Sequence, residues 1–249
     1  MFDAKSVKER IIVWITDYFR NNASPEAKAV IGISGGKDSS VAAALCAEAL
    51  GKERVLGVLM PQGVQDDIDI SYELCETLGI PYTEIDIGGT VQTLYDEIVK
   101  NGIELNDIAR FNTPARIRMT VLYAISGIAG GRVVNTSNLS EDRVGYTTKF
   151  GDTAGDLGPI SDLTAAEVKA IGRELGLAPR FIDKVPADGL CGRTDEESFG
   201  FTYELLDKYI REGVCENASV KEKIDRLCKR NLHKVNPMPV FRLNEQTGE

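Results

Sequence analysis

Apolar side chains at Val7, Ile11, Ile12, Trp14, Ile15, Tyr18 and Phe19 recur at helical spacing, which predicts an amphipathic helix over 3–22. A short apolar run at 29–33 predicts a buried strand. The alanine-rich stretch 41–50, stopped by Gly51, predicts a helix. The alternation then repeats, with strands expected at 54–60, 82–87 and 132–136 and helices at 66–78, 90–100 and 113–129. Strands alternating with helices call for right-handed crossovers, and these give a parallel sheet covered on both faces. The expected class is α/β, a Rossmann-like open parallel sheet.

After Thr136 the periodicity lapses. Residues 137–162 hold glycines, aspartates and hydroxyls, and a loop of that length in a compact domain is usually functional or mobile. Helices resume at 164–175 and 179–184. Residues 187–195 form a second irregular stretch, a candidate lid. Helices at 203–212 and 219–232 follow, and Pro237 and Pro239 forbid more helix. With no repeat and no linker composition, 1–249 is expected to be a single domain.

Charge and cysteines narrow the class. A net charge of −9 gives little bulk attraction for nucleic acid, and the basic run 221–234 reads as the solvated face of a helix. Five cysteines (Cys46, Cys75, Cys191, Cys215 and Cys228) are dispersed without a CxxC, which suits a reducing cytosol. The start of the chain has no signal-peptide core and no run reaches membrane-spanning length. The expectation is a cytoplasmic protein with neither membrane nor nucleic-acid partner.

The run 29–40 carries the chemistry. A strand turns through Ser34-Gly35-Gly36-Lys37-Asp38-Ser39 into a helix, which aims backbone N–H groups at one spot and favours a phosphate there. Gly32 and Gly36 are spaced too closely for the Walker loop, and no spacing fits GxGxxG. Asp38 would repel phosphate unless a cation such as Mg2+ lay between them. By topology, this loop, 60–63 and 136–138 leave the carboxyl ends of three strands and converge on one crevice. Glu141 is then a candidate second carboxylate, or else a helix-capping glutamate. Arg116 could clamp a phosphate or carboxylate. Arg118 reads as a surface charge, Asp66, Asp67 and Asp69 as helix caps, and His233 as a partner of a helix dipole.

The loop resembles the SGGxDS loop of the ATP pyrophosphatases. GISGGKDSS (32–40), MPQGVQ (60–65), GIELND (102–107) with ARIRM (115–119), TSNLSE (136–141), GYTTKFGD (145–152) and the pair His233-Lys234 follow the order seen in ammonia-dependent NAD synthetases. That resemblance implies an adenine nucleotide alpha hydrolase-like fold. It also implies a homodimer that uses ATP, Mg2+ and ammonia to amidate nicotinic acid adenine dinucleotide through an adenylate. Gly32, Ile33, Ser34, Gly35, Gly36, Lys37, Asp38, Ser39 and Thr136 would contact ATP. Asp38 and Glu141 would bind Mg2+. Arg116, Lys149, Asp156, His233 and Lys234 would contact the dinucleotide. Two positions depart from the pattern: Ala165 stands where the family has a lysine, and Ala187 where it has a hydroxyl residue. Lys169 and Lys184 are the candidates to compensate.

Overall fold

Four parallel strands in the order β3-β2-β1-β4 carry the fold: β1 (Ala29–Gly32), β2 (Val55–Leu59), β3 (Tyr82–Glu84) and β4 (Arg132–Val133). The computed structural model describes residues 2–65, 67–183 and 195–243. Ala29 lies in register with Val55 on one side and Arg132 on the other. β1 is central, so both its faces are buried, and this is why it reads as an unbroken apolar run.

Successive side chains of β1 enter two different cores. Ala29 and Ile31 pack with α1 (Ala4–Asn22), α2 (Lys37–Leu50) and α3 (Ile68–Leu78). Val30 packs on the other face with Val91 and Tyr95 of α4 (Gly88–Lys100) and Met119 and Leu122 of α5 (Asp107–Ala129).

α5 begins well before the expected residue 113. Asn106 caps it by accepting the Ala109 N–H at 2.9 Å, and Pro114 sits inside it. Proline removes the donor that the Arg110 carbonyl would otherwise meet. The Tyr95 hydroxyl donates to that carbonyl instead, at 2.9 Å. The strand expected at 82–87 closes at Glu84, although Ile85 and Ile87 still donate to Leu59 and Pro61 at 2.9 Å each. α3 starts at Ile68. Its flanking Asp67 makes no side-chain cap and accepts from Gln65 Nε2 instead, while Asp66 lies outside the described residues.

The stretch 137–162 is anchored along its length. It contains α6 (Leu139–Val144), too short to register as a period, and Leu157 returns to bridge Val134 in parallel at the sheet edge. α7 (Ala165–Glu174) packs on α2, where a Cβ at Gly172 would stand 3.0 Å from Val41 Cγ2. α8 (Pro179–Ile182) follows, shorter than the expected 179–184. Lys184, Ala187 and all but Asp195 of the expected lid lie outside the described residues. α9 (Asp195–Phe199), α10 (Tyr203–Glu212) and α11 (Ala218–Val235) dock on α6 through Val144, Phe199, Phe201, Leu206 and Ile224. Among the described residues no helix is long and apolar enough to cross a membrane.

Candidate active site

The loop after β1 is held tightly at its base and open at its helix end. Gly32 faces Met60 and Leu122, and a Cβ there would lie 3.1 Å from Met60 Cε. The Ile33 N–H donates to the Val58 carbonyl at 2.9 Å, which prolongs the ladder. Gly35 has φ +72°, and α3 crowds it: a Cβ would meet Ser71 Oγ at 3.1 Å. Both facts select glycine. Gly36 is the N-cap of α2 and has no side chain to cap it, so the first-turn amides remain an anion site. Several hydroxyls expected to face phosphate brace the loop itself. Ser39 and Ser40 donate to the Gly36 carbonyl at 3.2 and 2.8 Å, and the Ser34 and Ser39 hydroxyls pair at 3.1 Å.

Asp38 and Glu141 converge, although 102 residues separate them in sequence. Lys37 Nζ donates to Asp38 Oδ2 at 2.8 Å and to Glu141 Oε1 at 3.4 Å. Burial alone would lower the Lys37 ammonium. The Asp38 and Glu141 charges outweigh it and hold the group above the usual lysine range. Asn138 Nδ2 donates to Asp38 Oδ1 and to Glu141 Oε1. Tyr203 of α10 donates to Glu141 Oε1 at 3.4 Å, and its ring lies 5.6 Å from Lys37 Nζ. Glu141 also sits in the first turn of α6, whose cap is the Asn138 side chain.

Four of the five expected dinucleotide contacts form a connected set. Arg116 Nε donates to the Lys149 carbonyl at 3.1 Å, Lys149 Nζ donates to the His233 carbonyl, and Lys234 Nζ donates to the Gly145 carbonyl at 2.8 Å. Burial lowers Lys234 from its ordinary value, with Asp152 opposing. Asp156 stands elsewhere: its carboxylate accepts the Val133 N–H at 2.7 Å and so covers the edge of β4. Thr136, two residues before Asn138 in the chain, is half-buried. Arg118 is no surface charge. It is half-buried, and its Nε donates to the Met60 carbonyl at 3.1 Å, tying α5 to the end of β2.

Sequence reasoning missed Asn138, Ser140, Tyr203 and Asp207. For Asn138 a signal existed, since Asn-x-x-Glu before a helix is a capping pattern. Ser140 and Asp207 cap α7: the Ala165 N–H donates to Ser140 Oγ at 3.0 Å, and the Ala166 N–H to Asp207 Oδ2 at 2.9 Å. Burial pushes Asp207 up, while the Ser140 hydroxyl and the Ala166 N–H, both of which donate to its carboxylate, oppose that rise. Beside Glu141, Asp142 Oδ1 is buried with no hydrogen-bond partner among the described residues. Burial, then the nearby Asp152, pushes that carboxyl up to about 6.

The chain as a whole has counterparts among known proteins. The family described as NAD synthase matches residues 7–239. An NH(3)-dependent NAD(+) synthetase from Thermococcus sibiricus is 38% identical over 220 residues, covering 82% of this chain and 85% of that protein. The structure of an NMN synthetase from Francisella tularensis superposes with TM-score 0.89 at 30% identity, over 98% of this chain and 100% of the other. An NH3-dependent NAD synthetase from Campylobacter jejuni gives TM-score 0.77 at 28% identity, over 97% and 100%. Matches of this extent, on a chain with this loop and this carboxylate pair, mean that the protein belongs to the NAD synthase family.

Proposed function

We propose that this chain amidates nicotinic acid adenine dinucleotide to NAD, using ATP and ammonia and releasing AMP and pyrophosphate. The observation that carries the reading is the meeting of Asp38 and Glu141 at the open N-terminus of α2, in a member of this family. A carboxylate oxygen is a poor leaving group. The nicotinate carboxylate attacks the ATP α-phosphorus, pyrophosphate departs, and a mixed anhydride forms. Ammonia adds to its carbonyl carbon and AMP leaves with the C–O electron pair, after a proton is lost from nitrogen. The chain supplies position and charge for both steps. Residues Gly32–Ser39 and Thr136 hold ATP, with the first-turn amides of α2 on phosphate oxygens. Arg116, Lys149, His233, Lys234 and Asp156 hold the dinucleotide.

Asp38 and Glu141 offer oxygen donors only, which fits Mg2+, a cation that keeps several waters and binds through one or two carboxylates plus substrate phosphates. Among the described residues no group of three or more His, Cys, Asp or Glu residues could hold a metal ion, so water and ATP would have to complete the coordination. Bound there, Mg2+ neutralises phosphate charge. The protein works as a homodimer in the cytoplasm, with the dinucleotide near the subunit interface. Trp14 and Ile128, exposed at 46% and 83%, support an apolar interface on α1 and α5, and the free thiols of Cys46, Cys75, Cys215 and Cys228 support the compartment.

The test is to incubate the protein with ATP, Mg2+, ammonium and nicotinic acid adenine dinucleotide and to assay NAD, AMP and pyrophosphate. Ammonium is expected to support turnover and glutamine alone is not. ATP binding without AMP formation would make the chain a nucleotide-binding module instead. One observation favours a second reading. The fit to the NMN synthetase, at TM-score 0.89, exceeds the 0.77 of the Campylobacter jejuni NAD synthetase at similar identity. On that reading the acceptor is nicotinic acid mononucleotide. Comparing kcat/KM for the two acceptors decides between them.

A further inference from the structure

Lys37 lies at the first position of α2, where a lysine would be expected to reach for an anion, yet its ammonium is turned into the carboxylate pair. The residue is only 4% exposed. Nζ stands 2.8 Å from Asp38 Oδ2, 3.4 Å from Glu141 Oε1 and 5.6 Å from the Tyr203 ring centre. Two carboxylates sharing a small site repel each other unless a proton, a metal or another cation compensates them. Asn138 bridges the same two carboxylates but carries no charge.

We propose that the Lys37 ammonium is a resident cation that holds Asp38 and Glu141 in register while no metal is bound, and that it leaves when Mg2+ enters with ATP. The proposal rests on the reading of Asp38 and Glu141 as the Mg2+ ligands. The carboxylate oxygens that Nζ engages are the donors a metal requires, and two cations cannot share them at these distances. With the ammonium in place the trio carries one net negative charge, a weak attraction for a divalent ion. ATP changes the balance. Its phosphates bring the metal, and they give the displaced ammonium a new partner at the same helix end, within reach of a flexible four-carbon stem. Metal and nucleotide binding are thereby coupled, and by linkage the coupling is reciprocal.

The experiment measures Mn2+ binding to the whole protein by electron paramagnetic resonance, with and without a non-hydrolysable ATP analogue. Without nucleotide, Lys37→Gln and Lys37→Met are expected to bind Mn2+ about tenfold more tightly than wild type, the weight of one charge-assisted hydrogen bond. Lys37→Arg keeps the charge and should stay near wild type. With nucleotide, the advantage of the neutral variants should shrink or reverse. Equal or weaker Mn2+ binding by the neutral variants without nucleotide overturns the placeholder role. Failure of wild type to bind Mn2+ even with the analogue overturns the metal reading beneath it. A second measurement needs no variant. In wild type, the side-chain 15N resonance of Lys37 should move when Mg2+ and the analogue are added together, and far less with Mg2+ alone. An unmoved resonance at saturation means that the lysine stays in place, and the proposal fails.

Discussion

The Asn138 side-chain nitrogen donates to Asp38 Oδ1 at 3.0 Å and to Glu141 Oε1 at 2.8 Å, so one amide ties the loop after β1 to the helix after β4. The same side chain caps α6, its oxygen accepting the Glu141 N–H at 3.2 Å. Asn138→Asp keeps the capping oxygen, removes the bridging donor and adds a third negative charge. The variant should fold, since Asp caps as well as Asn. Its ATP–pyrophosphate exchange should fall by about 100-fold, the scale of losing one oriented electrostatic group. Exchange within a few-fold of wild type would show that the bridge does not organise the carboxylates.

Asp38→Ala and Glu141→Ala should each abolish adenylation with the fold intact. Both side chains are partly exposed, so neither removal opens a core cavity. The check is pyrophosphate release at limiting Mg2+ beside a thermal melt. Near-normal release by either variant rules out a shared cation.

Gly145 closes α6 in the left-handed region at φ +70°, and a Cβ there would lie 2.0 Å from Asn231 Cβ. Asn231 in turn donates to the Val144 carbonyl at 2.9 Å, which fixes α11 against α6. Gly145→Ala combines a strained backbone with overpacking and should cost about 2–5 kcal/mol in urea unfolding. Because α11 carries His233 and Lys234, KM for the dinucleotide should rise more than KM for ATP. A silent substitution would mean that α11 is not held here.

Glu167 closes a capping box with Thr164 and meets Arg211 of α10, which donates to Oε1 at 2.9 Å. Burial alone would raise its carboxyl. The Arg211 and Thr164 hydrogen bonds outweigh that and hold it below its ordinary value. A lowered folded-state value stabilises the protein above the unfolded carboxyl range and is lost as pH falls through the folded one. Wild type should therefore exceed Glu167→Gln by about 0.5–1 kcal/mol at pH 7. The gap should close below about pH 4. A gap independent of pH would assign the effect to packing.

Most of the sheet was legible because its buried strands are continuous apolar runs and its helices keep a clean period. α5 reads short because Pro114 masks its first turns, and the remote Tyr95 hydroxyl meets the carbonyl that the proline leaves without its helical donor. α6 was invisible as a period at six residues, yet it presents Glu141. The loop and its carboxylate could be named from residue types and strand ends. Tyr203 and Asp207 could not, because they arrive on α10, Tyr203 at Glu141 and Asp207 at the start of α7, and the amphipathic pattern of α10 says nothing about where it docks.

The departure that the resemblance implies at Ala165 falls at a buried position in the fold. The resemblance alone predicts that Ala165→Lys tightens ATP binding. Ala165 is 3% exposed at the first position of α7, and its N–H is held by Ser140 Oγ. A lysine stem must leave that closed spot, so the gain is opposed by a packing cost of about 1–3 kcal/mol. Lys169 lies four residues on, along the same helical face, and is only half-buried. Helical side chains lean toward the N-terminus, so its ammonium is carried back toward position 165. Lys169→Ala should raise KM for ATP about tenfold, the loss of one charged contact, with kcat little changed if ground and transition states use the contact equally. Ala165→Lys should lower Tm and leave KM for ATP within about threefold. The reverse outcome, a tighter Ala165→Lys and a neutral Lys169→Ala, would mean that the position is open to ATP and the natural site is weakened rather than compensated.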